Sequence, residues 1–103
     1  MCMTTEIVTM KTATKLTKEE FIRIVDGLER NFHSKQPSFI DTELLYNEKS
    51  DEWIMVQHWA SREQLKAASK KMFEDESAAA FVQALDPKTV KMSILPQLRK
   101  WTL

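Results

Sequence analysis

Trp53-Ile54-Met55-Val56-Gln57-His58-Trp59, followed directly by Ala60-Ser61-Arg62-Glu63-Gln64-Leu65, decides the layout of this chain. The first seven residues are too few for a typical helix and rich in strand-forming types, so they predict a strand. Ser61 then stands as an N-cap, with Gln64 three residues on for a capping box and Ala60 and Leu65 at the staple positions. A strand therefore passes into a helix at Trp59-Ala60-Ser61. The same signature occurs upstream in Leu16-Thr17-Lys18-Glu19-Glu20-Phe21, where Thr17 caps, Glu20 completes the box and Leu16 faces Phe21.

From Thr17 to about Ser34, Phe21, Ile24, Val25, Leu28 and Phe32 recur at helical spacing, with Glu19–Arg23 and Asp26–Arg30 as outer pairs. Gly27 inside this helix costs about 1 kcal/mol relative to Ala, a sign of close packing or of tolerance. Glu6 to Thr14 alternates weakly and suits a first strand, with Ile7, Thr9 and Lys11 on one side and Val8, Met10 and Thr12 on the other. After Pro37-Ser38, Phe39 to Tyr46 predicts a strand, Asn47 to Asp51 a turn, and Glu52 to Trp59 the hairpin partner. Beyond Ser61 one helix carries Leu65, Ala68 and Met72. A second, short one carries Ala78, Phe81, Val82 and Leu85 before Asp86-Pro87 stops it, and a last strand runs from about Thr89 to Leu95.

The order β-α-β-β-α-(α)-β is that of a ferredoxin-like α+β sandwich with an antiparallel sheet, a single domain over residues 1–103. Ile40, Leu44, Tyr46, Ile54 and Val56 are expected on one hairpin face, and Phe39, Leu45, Trp53, Met55 and Trp59 on the other. Helices cover only one side of such a sheet, so a second copy packed face to face about a two-fold axis is expected to cover the other. The tail from Leu95 to Leu103, with Leu98 and Trp101, is expected to pack on that copy.

Lys and Arg total 15, as do Asp and Glu, so no net field exists to hold a nucleic acid through its phosphates. One cysteine, Cys2, precludes an internal disulfide and reads as an incidental free thiol. Neither a signal-peptide core nor an apolar run of membrane-spanning length is visible, so the expected location is the cytoplasm, with no membrane partner.

Pro37-Ser38-Phe39 resembles the Pro-Gly-Phe entry to the second strand of the antibiotic-biosynthesis-monooxygenase-like dimeric α/β barrels. Trp59-Ala60-Ser61 is similar to that family's Trp-x-Ser, and Ala80-Phe81-Val82-Gln83-Ala84-Leu85 to its short helix before the last strand. The resemblance implies a homodimer that oxygenates a small hydrophobic, aromatic or quinol-type molecule with molecular oxygen and without a cofactor. Thr12 to Thr17 and Asp51 to Ser61 are also similar to the Isd-type haem-degrading monooxygenases. That subgroup's site Asn, Trp and axial His fall here on Thr9, Ala68 and Ala78, so the usual iron ligand is missing.

The chain has no Gly-rich phosphate loop, no pair of Cys or His at ligand spacing and no nucleophile elbow. Oxygenation of that kind needs a dry pocket, a base and hydrogen bonds to the substrate anion. His58 is the candidate base by residue type, with Asp41 and Glu43 as carboxylate alternatives. Thr9, Trp53, Gln57 and Trp59 are the candidate substrate contacts, no metal ligand is expected, and His33 reads as a partner of the first helix's dipole. A non-catalytic small-molecule-binding dimer is the alternative from another class.

Overall fold

The computed structural model describes residues 3–103; Cys2 lies outside them. Four strands, β1 (Thr4–Met10), β2 (Phe39–Asn47), β3 (Glu52–Trp59) and β4 (Lys91–Pro96), form one antiparallel sheet in the order β2-β3-β1-β4. Helices α1 (Lys18–Asn31), α2 (Arg62–Met72) and α3 (Ala79–Ala84) follow the predicted order, giving the ferredoxin-like α+β fold.

Both helix starts follow from their caps. The Glu20 amide donates to Thr17 Oγ1 at 3.1 Å and the Thr17 amide to Glu20 Oε1 at 2.9 Å, so this box closes in both directions. At the second start the Gln64 amide donates to Ser61 Oγ, while the Ser61 hydroxyl turns to Glu63. Phe21, Val25, Leu28 and Phe32 bury the α1 stripe against Met10, Trp53 and Met55 of the sheet and Ala78 and Phe81 beyond α2. Trp59, Leu65 and Ala68 form a smaller cluster where α2 crosses β3. Asp26 and Arg30 pair at 2.9 Å, but Glu19 and Arg23 do not pair. A methyl group on Gly27 would meet nothing within 4 Å, so this glycine reflects tolerance and not close packing.

Two expectations need correction. The first strand ends at Met10, because the Lys11 amide turns to Thr89 Oγ1 and only Thr12 makes an isolated bridge, to Leu85. In β2 a bulge between Phe39 and Asp41 shifts the alternation by one residue. Leu44 and Tyr46 therefore pack inward with Trp53 and Met55, while Leu45 and Ile40 face out. Strict alternation from Phe39 cannot anticipate that shift. Just before the bulge, Ser38 has φ 68°, a left-handed conformation that suits glycine. Its carbonyl accepts from the Ala60 amide at 2.8 Å, which ties the β2 entry to the β3–α2 junction.

Candidate functional site

Between the inner sheet face and α2, α3 and the segment entering β4 lies a cavity of about 380 Å³, at the small end of the range for ligand pockets. Val8, Met55, Met72, Phe81, Leu85 and Val90 make most of its wall apolar, and Phe73 and Met92, both well exposed, stand at its mouth. Glu6, His33, Gln57 and Trp59 bring polar groups into it. All four are buried.

Strand geometry places three of them. β1 turns Thr4, Glu6, Val8 and Met10 inward, and β3 turns Trp53, Met55, Gln57 and Trp59 inward, with Glu6 opposite Gln57 in the ladder. His33 comes from the short turn His33–Lys35 that follows α1, wedged by Phe32, stacked on Phe39 at 5.5 Å and edge-on to Trp59. Its Nδ1–H donates to Glu29 Oε2 at 2.5 Å, one helical turn back. An indole N–H can only donate, so the 3.2 Å bond from Trp59 Nε1 fixes Gln57 Oε1 as the acceptor. The Gln57 amide nitrogen then donates to Thr42 Oγ1 at 2.9 Å and lies 3.2 Å from His33 Nδ1. Every member of this row is held by another.

Glu6 is the exception. It is 5 % exposed, and its Oε2 has no hydrogen-bond partner. Burial raises its pKa above the ordinary 4.5, and the charge of His33 opposes that shift only in part. Glu29 Oε1 is likewise buried without a partner. The polar end of the cavity thus presents one carboxylate, Glu6, and one imidazole, His33, whose Nδ1 is bonded to Glu29 outside the cavity lining. Among the described residues no three His, Cys, Asp or Glu side chains are grouped to hold a metal ion.

Of the residues singled out by sequence, Gln57 and Trp59 line the cavity, whereas His58, Thr9 and Trp53 do not. Adjacent strand residues point to opposite faces, so His58 faces outward, its Nδ1 2.6 Å from Asp41 Oδ1. Thr9 is on the same outer face, opposite Ile54. Trp53 packs into the main core between Phe21 and Tyr46, with ring centroids 4.6 and 4.7 Å away. Asp41 and Glu43 are solvated on the outer face. Ala68 is buried beside Trp59 and Leu65, and Ala78 beside the α1 stripe. Sequence reasoning missed Glu6 and His33. Glu6 shares its parity with Val8 and Met10, a carboxylate in an apolar stripe, and that was its signal. His33 depends on the turn after α1, which periodicity does not reveal.

A family model described as antibiotic biosynthesis monooxygenase matches residues 3–84. The chain belongs to that family. Among solved structures, SnoaB of Streptomyces nogalater, described as a cofactor-independent oxygenase, is similar with a TM-score of 0.64 at 15% identity, covering 100% of this chain and 98% of its own. Proteins provisionally assigned to the same monooxygenase family are similar too. One from Caulobacter crescentus CB15 gives 0.69 at 16% identity, covering 95% of this chain and 92% of its own. One from Chloroflexus aurantiacus J-10-fl gives 0.68 at 16%, covering 97% of both. At such identities the likeness concerns the fold. No curated protein matches this member of the monooxygenase family.

Proposed function

We propose that this protein is a monooxygenase that uses molecular oxygen without a cofactor and takes a small hydroxylated aromatic or quinol-type molecule into the cavity between helices and sheet. The observation that carries this reading is the buried Glu6 carboxylate, its Oε2 unpartnered, in a largely apolar pocket of a chain in the monooxygenase family. Burial of the carboxylate favours its protonated form, which makes it a stronger base when ionised. In the proposed role Glu6 takes the substrate's hydroxyl proton. His33, oriented by Glu29, and the indole edge of Trp59 lie against the resulting anion.

The electrons come from the substrate. A hydroxyarene and O2 become a quinone and water: one oxygen atom bonds to a ring carbon, the other leaves as water with the hydroxyl hydrogen and the hydrogen displaced from that carbon. The apolar wall keeps bulk water from the anion.

The outer sheet face is part of this proposal. Ile7, Ile54 and Val56 are half-buried there and Ile40, Leu45 and Leu95 are exposed, while Leu98 and Trp101 of the tail lie in solvent. A second copy facing this sheet covers that surface as a dimeric barrel, and the tail packs on it. No helix among the described residues is long and apolar enough to cross a membrane, and a cytoplasmic setting completes the reading.

The test is an oxygen electrode with chelator-dialysed protein and a panel of one- to three-ring hydroxyarenes. One member is expected to consume oxygen in equal amount to substrate, with label from isotopic O2 in the product carbonyl. No consumption above the protein-free rate across the panel refutes the oxygenase reading.

A further inference from the structure

We propose that this cavity selects uncharged, hydroxyl-bearing aromatic molecules and rejects both carboxylated ones and those that can only accept hydrogen bonds. The inference rests on the reading of this cavity as the ligand site and deepens it, naming what the ligand must carry.

Its basis is an imbalance at the polar end. Glu6 Oε2 is buried with no partner, and an orphaned buried acceptor costs about 1–3 kcal/mol until something donates to it. Most donors at the polar end already have acceptors: Trp59 N–H on Gln57, one Gln57 amide hydrogen on Thr42, and His33 Nδ1–H on Glu29. A ligand hydroxyl is the group that satisfies Glu6. An ether oxygen in its place leaves the carboxylate unpaired. An anionic ligand fares worse, since no Lys or Arg lines the cavity. Its one ionisable nitrogen base, His33, already faces Glu29 at 2.5 Å. A carboxylate brought beside Glu6 is therefore a like charge in a dry pocket, desolvated without compensation.

The experiment is anaerobic calorimetric titration of the intact protein at about pH 8, on the alkaline side of the carboxylate range, to favour ionisation of Glu6 despite its raised pKa. The probes are a dihydroxynaphthalene, its dimethyl ether and a hydroxynaphthoate. The diol is expected to bind at least about tenfold more tightly than the ether, the loss of one hydrogen bond to a charged group, and the naphthoate more weakly than the diol by at least as much. In Glu6→Leu, folded by circular dichroism, the diol's advantage over the ether is expected to vanish. Equal affinities for diol and ether in the wild-type protein, tight binding of the naphthoate, or no binding of the diol overturns the inference. The wild-type comparison stands if the variant fails to fold. Because oxygen is absent, selective binding without later turnover in air sinks the oxygenase reading alone, and turnover without selectivity sinks this inference alone.

Discussion

Replacing Glu6 by Leu should make the protein more stable while removing the proposed oxygenase activity. In the folded state Glu6 holds a carboxylate away from water with one oxygen unpartnered; exchanging such a group for an apolar one recovers about 1–3 kcal/mol. Leu is accommodated beside Val8, Trp59 and Met92, which line the same cavity. At roughly 4 °C per kcal/mol for a domain of this size, the melting temperature should rise by about 4–12 °C. Stability must also depend on pH in a defined direction. Burial raises the Glu6 pKa above 4.5, so the folded protein holds this proton more tightly than the unfolded chain does. The associated stability is intact below about pH 4.5 and is lost as pH rises through the folded-state value. The Leu variant lacks that loss, and its advantage should be larger at about pH 8 than at about pH 4. Urea and thermal unfolding of both proteins, followed by circular dichroism, read this out. A variant less stable than the wild type at pH 8, or a gain equal at both pH values, refutes the reasoning.

Ser38→Gly should stabilise by about 0.5–1 kcal/mol, because the left-handed backbone at φ 68° costs a non-glycine residue about 1–2 kcal/mol and glycine's unfolded-state entropy returns part of it; urea midpoints check this. Gly27→Ala should add about 1 kcal/mol, since nothing lies within 4 Å of the new methyl group and the helix gains propensity; a loss of stability would mean a hidden contact. Ile7→Lys, at the middle of the outer face between Val56 and Ser93, should raise the dissociation constant of the proposed dimer by about a hundredfold or more through an uncompensated buried charge, as sedimentation would report. An unchanged sedimentation profile would remove the face-to-face dimer.

The architecture was legible because each element carried its own local signal. Thr17 and Ser61 marked the helix starts, the α1 stripe repeated at helical spacing, and Glu52 to Trp59 formed as predicted. What escaped was set by tertiary geometry. The bulge at Ile40 reversed the facing of Leu44 and Leu45, and no turn signal marks it. The cavity lining was half legible: Gln57 and Trp59 lie in it, but His58, the titratable residue between them, points the other way because a strand alternates. The ionisable groups that do reach the cavity come from positions that looked structural. Glu6 sits on a weakly patterned first strand, and His33 on a turn whose placement depends on Phe39 and Trp59 packing around it.

Which face of the sheet does the proposed chemistry is decided by oxygen uptake by two variants with the same hydroxyarene. Glu6→Gln keeps the shape of the side chain and removes its charge, whereas His58→Ala alters only the outer face and its pair with Asp41. The prediction is uptake at or near the wild-type rate in His58→Ala and a loss of about a hundredfold or more in Glu6→Gln, the scale of a lost general base. Full activity in Glu6→Gln together with its loss in a folded His58→Ala variant would contradict the account.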